Sequence, residues 1–114
     1  MVTPSTNRQT YMPAPFPRAE VETCLRAELI GAIKAEASIK GVSLPDSPEQ
    51  IAKMDFEIDS LVVVSILCVV ESIVEFELPE TVVRAGGYTS VESALKYLLP
   101  RIEQQWVKRK GVTL

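Results

Sequence analysis

The sequence contains no histidine, and this absence excludes several kinds of chemistry together. Histidine is the commonest general base, nucleophile activator and metal ligand in proteins. The only two cysteines, Cys24 and Cys68, fall within apolar patterns, so we interpret them as core thiols in preference to a disulfide, a reactive pair or a zinc site. A Gly-rich phosphate loop is also lacking, and Gly86-Gly87 predict a turn. We therefore expect no catalytic residue, no metal site and no enzyme activity in the chain itself.

Long apolar runs are lacking as well. The longest, Leu61 to Val70, ends at Glu71 and is far shorter than the roughly 20 residues that cross a bilayer. No apolar stretch follows a basic start at the N-terminus, so we expect no secretory signal, no stable membrane insertion and a cytoplasmic protein. A chain of 114 residues with 46% apolar content predicts one small domain, with a monomer as the default.

Basic residues are scarce in the body of the chain. The formal net charge is −3, but residues 19–99 carry fourteen acids against six bases, whereas residues 1–18 and 100–114 are basic. From Asp59 to Glu80 there are five acids and no base. Such a surface repels nucleic acid and favours partners with basic surfaces.

The first part of the chain divides into three segments. Residues 1–18 contain four prolines and no apolar period, so we predict a flexible Pro-rich arm. From Arg18, apolar residues recur at helical spacing and predict a helix of about five turns that stops at Lys40-Gly41. Its apolar positions are Val21, Cys24, Leu25, Leu29, Ile33 and Ala37. The segment that follows, as far as residue 58, is predicted to be a long ordered loop with one helical turn.

The last part of the chain predicts a further helix and an extension. Thr89 and Glu92 form a capping box that predicts the start of the helix. Pro100 predicts that this helix is interrupted or that another one begins. Residues 100–114 form a basic extension, predicted to be a short helix whose Trp106 packs across the bundle. Contact of its cations with a partner or an anionic membrane surface is the alternative.

The apolar run after Ser60 is ambiguous by composition, because its valines favour a strand. No second convincing strand exists to pair with it, and a lone strand leaves its backbone groups unsatisfied. Apolar residues at helical spacing mark one face: Val63, Ile66, Leu67, Val70 and Val74. We therefore predict a helix over Leu61 to Phe76, with Asp59 as its N-cap. The predicted fold class is all-α, a bundle of three long helices and one short helix, the short one being a turn within PETVVRAGG.

Four features follow one another along the chain: FEIDSL, an apolar helix, EFELPE and TSVESALKYL. In this order they resemble the acyl carrier protein family, and the resemblance extends from about Val21 to Leu98. The match from Asp59 to Glu80 needs no gap. Asp59, Ser60 and Leu61 fall on the family's Asp-Ser-Leu motif, Glu71 on an acid of the second helix, and Leu78-Pro79-Glu80 on the motif that ends this helix. After a short insertion around Gly86-Gly87, the last helix is matched by Val91, Ala94, Tyr97 and Leu98.

The resemblance implies a four-helix acyl-carrier-like bundle over residues 19–99. It implies that Ser60, flanked by Asp59 and Leu61, carries a 4′-phosphopantetheine arm placed there from coenzyme A by a phosphopantetheinyl transferase. A phosphodiester at this position would lie at a helix N-terminus, where free N–H groups and the helix dipole favour an anion.

The resemblance also implies what the arm does. Its thiol holds acyl groups as thioesters, and acyl-transferring, ligating or synthase enzymes do the chemistry. The pathway would be fatty acid, polyketide or specialised lipid biosynthesis. In the family the acyl chain can shelter between helices, and the candidates to line that space, with core packing as the alternative, are Val63, Leu67, Val70 and Val83.

The chain departs from the family at three positions. Glu57 stands where the family usually has glycine, and Val62 and Ser65 stand where it commonly has acids. The face opposite the predicted core is an apolar stripe of Val62, Ser65, Val69, Ser72 and Phe76. We hypothesise a specialised carrier whose partner docks partly on this stripe, with Glu71 and Glu75 as further contacts. Burial of the stripe under the chain's own ends is the alternative.

Two other functions fit the same pattern. A peptidyl or aminoacyl carrier protein would differ only in its cargo. A non-enzymatic helical adaptor would keep the fold without the arm, and modification of Ser60 separates it from both carriers.

Overall fold

The computed structural model describes residues 15–110. Most of the predicted Pro-rich arm and the last four residues of the predicted extension lie outside this range. The described residues form four α-helices: α1 (Arg18–Lys40), α2 (Pro48–Lys53), α3 (Ser60–Val74) and α4 (Val91–Lys110). A 3-10 turn, Glu80–Val82, lies between α3 and α4, and an isolated antiparallel bridge joins Ile58 to Tyr88. The predicted all-α class is therefore confirmed for these residues.

Helix α1 is the central packing element. It packs mainly against α3 and α4 and to a lesser extent against α2. It ends because Gly41 adopts a left-handed conformation with φ of 71°, and the next N–H, from Val42, returns to the Ala37 carbonyl at 2.8 Å. The predicted bounds of this helix are confirmed.

Helix α2 is the turn predicted within the long loop. Ser47 caps it by accepting the Gln50 N–H at 3.4 Å, and Pro48 occupies the first helical position. The Ser47 hydroxyl also donates to the Glu49 carboxylate at 2.8 Å, which lowers the pKa of Glu49. Ile51 and Ala52 are buried, so the turn is anchored against α1 and α4.

Helix α3 confirms that the valine-rich run is helical. It is shorter than predicted, because Glu75 turns left-handed (φ 68°) and the helix ends at Val74, not at Phe76. The Glu71 carboxylate accepts the Leu78 N–H at 2.8 Å and fixes the chain after this end. Glu71, a predicted partner contact, is half-buried and makes this hydrogen bond within its own chain.

The start of α4 differs from the prediction. The capping pair is Ser90 and Ser93, each hydroxyl accepting the other's backbone N–H at 3.0 and 3.1 Å. The predicted capping box of Thr89 and Glu92 is wrong, because it lies one residue before the observed pair. Ser93 occupies the capping position, and Glu92 instead accepts a hydrogen bond from Arg26 of α1 at 2.8 Å, an ion pair between two helices.

Pro100 neither ends α4 nor begins a separate helix, because Val91–Lys110 is continuous through it. Pro100 is exposed, so the carbonyl that loses its N–H partner can be hydrated. The Arg101 guanidinium donates to the nearby Tyr97 carbonyl at 3.2 Å. Ile102 and Trp106 are buried beyond the proline, and this packing holds the second half of the helix in line.

The core is contributed mainly by the three long helices. Its fully buried side chains include Leu25, Leu29, Ile33, Val63, Val70, Leu98 and Ile102. Cys24 is half-buried, and burial together with the nearby Glu28 raises the pKa of its thiol. Cys68 is exposed, so the core assignment is wrong for this residue, which lies on the outer side of α3 next to the buried Leu67. Within the described range, no helix is both long and apolar enough to cross a membrane.

Candidate functional site

The chain that leads into α3 is fixed by backbone pairing with the chain that leads into α4. Ile58 and Tyr88 exchange two N–H to carbonyl bonds of 2.8 and 2.9 Å, and the Phe56 N–H donates to Thr89 at 2.8 Å. Ile58 and Tyr88 are both buried. Asp59 and Ser60 therefore follow a segment whose position is set by tertiary contacts.

Gly87 allows this close approach. It has φ of 83°, and a Cβ built there would collide with the Ile58 carbonyl and lie 3.3 Å from the Ser60 nitrogen. The Tyr88 hydroxyl accepts the Arg84 N–H at 2.8 Å and steadies the same turn, while burial raises the pKa of Tyr88. The glycine pair in the sequence predicts a turn but gives no sign that one of the two touches Ser60.

Asp59 is the N-cap of α3, as predicted. Its Oδ1 accepts the Leu61 N–H at 2.8 Å, and its carbonyl accepts the N–H groups of Val62 and Val63 at 3.1 and 3.3 Å. Ser60 is consequently the first helical residue, and it is half-buried. Leu61, the third residue of the motif, is 75% exposed and points away from the core.

Ser60 lies on the wall of a polar cleft of about 390 Å³, lined by Glu36, Lys40, Glu57, Asp59, Ser60 and Gly86. The Lys40 ammonium pairs with Glu36 at 3.2 Å. The cleft thus combines three carboxylates with one ammonium group around a serine at a helix N-terminus. It leaves room for a substituent on the Ser60 hydroxyl.

A second, smaller cleft of about 170 Å³ lies beside the first. Its lining residues are Ala32, Ile33, Glu36, Phe56, Glu57, Ile58, Asp59 and Val62. Glu36, Glu57 and Asp59 line both clefts. This cleft was missed from the sequence, since its walls come from α1 and from a loop more than twenty residues later.

The four residues predicted to line an acyl-chain space do not meet at a cleft beside Ser60. Val63, Leu67 and Val70 are at most 2% exposed and belong to the closed core. Val83 is half-buried after the 3-10 turn. The structure places all four against or within the hydrophobic core, as the core-packing alternative describes.

The predicted apolar stripe of α3 is exposed over most of its length. Val62 and Val69 are 36% and 40% exposed, and Ser65 and Ser72 are also exposed. Both serine hydroxyls donate to carbonyls of their own helix, Ser65 to Val62 at 2.8 Å and Ser72 to Val69 at 2.7 Å. These internal bonds leave the stripe more apolar than its composition indicates.

Phe76 does not belong to that exposed stripe. Its ring lies 6.4 Å from the Trp106 ring, with the Arg109 guanidinium 5.4 Å above it. Phe16 packs edge-on against Trp106 at 5.9 Å. The chain's own end thus covers Phe76 in part, and the predicted packing of Trp106 is confirmed.

Comparisons of the chain with protein-family models, with curated proteins and with solved structures found no match. Among residues 15–110, no group of three or more His, Cys, Asp or Glu side chains is arranged to hold a metal ion. Ser60 lies where the N-terminus of α3 meets the polar cleft.

Proposed function

We propose that the protein is a phosphopantetheine-dependent acyl carrier, which holds acyl groups as thioesters on a 4′-phosphopantetheine arm attached to Ser60. The observation that carries the proposal is the position of Ser60. It opens α3 directly after an aspartate cap and lines an open polar cleft. The Asp-Ser-Leu order and the acidic, helical chain around it resemble the acyl carrier protein family.

Two physical features support attachment of a phosphodiester at Ser60. The N-terminus of a helix of fifteen residues favours a negative charge through the helix dipole, although Asp59 already accepts the Leu61 N–H there. Lys40 lines the same cleft and supplies the one cation near the serine among the cleft residues. The carboxylates of Glu36, Glu57 and Asp59 oppose this attraction, so a partner enzyme with a basic surface would be needed to install the group.

The chain itself performs no chemistry in this proposal. A phosphopantetheinyl transferase attaches the arm, and acyl-transferring, ligating or synthase enzymes act on its thioester. The pathway is fatty acid, polyketide or specialised lipid biosynthesis. A peptidyl or aminoacyl carrier is the nearest alternative, since it uses the same serine and arm.

The partners dock on the exposed face of α3. Leu61, Val62 and Val69 present apolar side chains to solvent, while Asp59 and Glu57 lie beside them at the helix start. A complementary partner has an apolar patch bordered by cations. The same exposed apolar surface also suits a helical adaptor without the arm, which is the second candidate function.

Intact mass spectrometry separates these functions. The apo protein is incubated with coenzyme A and a broad-specificity phosphopantetheinyl transferase, and we expect a mass gain of one phosphopantetheine group. Ser60→Ala should gain nothing, whereas Ser65→Ala, which removes an exposed hydroxyl one turn later, should be modified like the wild type. A wild type that stays as unmodified as Ser60→Ala would favour the adaptor.

A further inference from the structure

The smaller cleft beside Ser60 has one wall of apolar side chains, and carboxylates line the rest. Ile33 of α1 and Ile58 of the incoming loop are almost fully buried and form its inner wall. Phe56 is half-buried, and Val62 of α3 lies at the rim. Ala32, a small residue on α1, leaves the space open. The cleft is therefore bounded by two helices and the loop that carries the proposed attachment site.

This cleft adjoins the polar cleft that Ser60 lines. Three residues, Glu36, Glu57 and Asp59, form walls of both the polar cleft and the apolar one. A group attached to Ser60 can thus enter the apolar cleft without separating the core helices. The closed core around Val63, Leu67 and Val70 offers no such route without repacking, because these residues are buried to 98% or more.

The size of the cleft limits what it can hold. Apolar cavities of roughly 150 Å³ take up a ligand as large as benzene. The volume of about 170 Å³ therefore suits an apolar group of six carbons or so, by the same comparison. A long fatty chain would extend out of it into solvent.

Charge at the rim restricts the cargo further. The three shared carboxylates are exposed, and the one ammonium among the residues of the adjoining polar cleft, Lys40, is already paired with Glu36 at 3.2 Å. A cargo that ends in a carboxylate would be repelled there. An uncharged acyl group meets no such repulsion.

We infer that the cleft between α1 and residues 56–62 shelters a short, uncharged acyl group of about six carbons, carried on the Ser60 arm that folds back over the shared rim. This inference rests on the proposed carrier function and adds the class of cargo and the place where it lies. Tethering keeps the acyl group at a high local concentration, on the order of millimolar, so weak apolar contacts suffice to fill the cleft.

The test compares cargoes loaded on the full chain. The transferase is supplied with coenzyme A, hexanoyl-, glutaryl- or dodecanoyl-coenzyme A, and methyl signals are recorded by NMR. Relative to the arm without cargo, hexanoyl should shift the signals of Ile33, Ile58 and Val62. Glutaryl, which is similar in length but carries a carboxylate, should leave them unmoved. Dodecanoyl should shift them while its distal end stays mobile.

A cleft-filling variant makes the test specific. Ala32→Leu should abolish the hexanoyl shifts and raise the rate at which hydroxylamine cleaves the thioester. Ala35→Leu places the same side chain on the exposed face of α1 and should behave like the wild type. Hexanoyl shifts at Val63, Leu67 and Val70 instead, or equal shifts from glutaryl, would overturn the inferred site while leaving the carrier function intact. A chain that accepts no arm at all would refute both.

Discussion

The two ends of α3 are built in different ways. At its start, the open end (Asp59 to Val62), backbone hydrogen bonds and a glycine contact hold the chain, and Leu61 is 75% exposed. At its finish, the closed end, Phe76 lies beneath Trp106 and Arg109, and Phe16 packs against Trp106. The residues of the aromatic cluster at the closed end are thus different from the residues that hold the chain in front of Ser60.

This difference predicts which substitutions change stability and which change the surroundings of Ser60. Substitutions at the closed end should change the free energy of unfolding and leave the Ser60 surroundings unchanged. Substitutions at the open end should disturb the presentation of Ser60 with smaller effects on unfolding.

The largest expected effect is at the closed end. Trp106→Ala should lower the free energy of unfolding by about 3–5 kcal/mol, because it removes a buried ring and leaves a cavity. Lys108→Ala, an exposed position in the same helix, should change it by less than about 0.5 kcal/mol. Equilibrium urea denaturation measures both. A Trp106→Ala loss as small as the Lys108→Ala loss would mean that the aromatic cluster does not hold this end.

The Trp106 indole refines that prediction. Its Nε1 is buried without a hydrogen-bond partner among the described residues. Trp106→Phe keeps a ring and removes the unpaired donor, so its loss should be no more than about 1.5 kcal/mol. The same denaturation experiment checks it, and a loss equal to that of Trp106→Ala would show that the indole is needed in full.

The next largest effect should appear at Gly87, which packs against the chain at the open end. Gly87→Ala combines a left-handed φ with a collision against Ile58, and should lower stability by about 3 kcal/mol. Gly86→Ala has a similar φ of 90° but open space around the new methyl group, and should lower it by about 1 kcal/mol. Two equal losses would show that the contact between Gly87 and the Ile58–Ser60 segment is unimportant.

This glycine pair illustrates what a sequence can and cannot predict. The limits of α1, the helical state of α3 and the Asp59 cap follow from periodicity and local chemistry, and the structure confirms them. The role of Gly87 depends on a contact with residues almost thirty positions earlier, which no local pattern contains. The cleft lined by Ile33 and Ile58 likewise depends on a contact between distant parts of the chain, which no local pattern contains.

The errors in the sequence predictions also have a tertiary cause. Pro100 is a helix breaker by local rules, but the burial of Ile102 and Trp106 keeps α4 continuous. Glu92 resembles a capping residue, but its ion pair with Arg26 of another helix takes its place. Local propensity is a weak guide where a long-range contact competes with it.

A smaller effect is expected for the cap of the open end. Asp59→Ala should lower the free energy of unfolding by about 1 kcal/mol, because the Leu61 N–H loses its acceptor. Asp59→Asn preserves that acceptor and should lower it by only a few tenths of a kcal/mol, to order of magnitude. Denaturation curves for the two variants measure the difference. If Asn were as damaging as Ala, the negative charge of Asp59 and not its capping bond would be what matters.

The smallest effect on stability belongs to the exposed stripe. Val62→Asp combined with Val69→Glu should change the free energy of unfolding by less than about 0.5 kcal/mol, since both side chains are partly in water. The proposed apolar docking predicts that the same variant transfers its acyl group to the cognate partner more slowly than the wild type. Unchanged transfer by this stable variant would show that the partner does not use the stripe.

The most direct test measures intact masses of three proteins after one reaction with coenzyme A and a phosphopantetheinyl transferase. The wild type should gain one phosphopantetheine group, and Ser60→Ala should gain none. Trp106→Phe should gain one as well, because the closed end does not present Ser60. A wild type without any mass gain, or a gain that persists in Ser60→Ala, would contradict the account that the open end of α3 carries the arm.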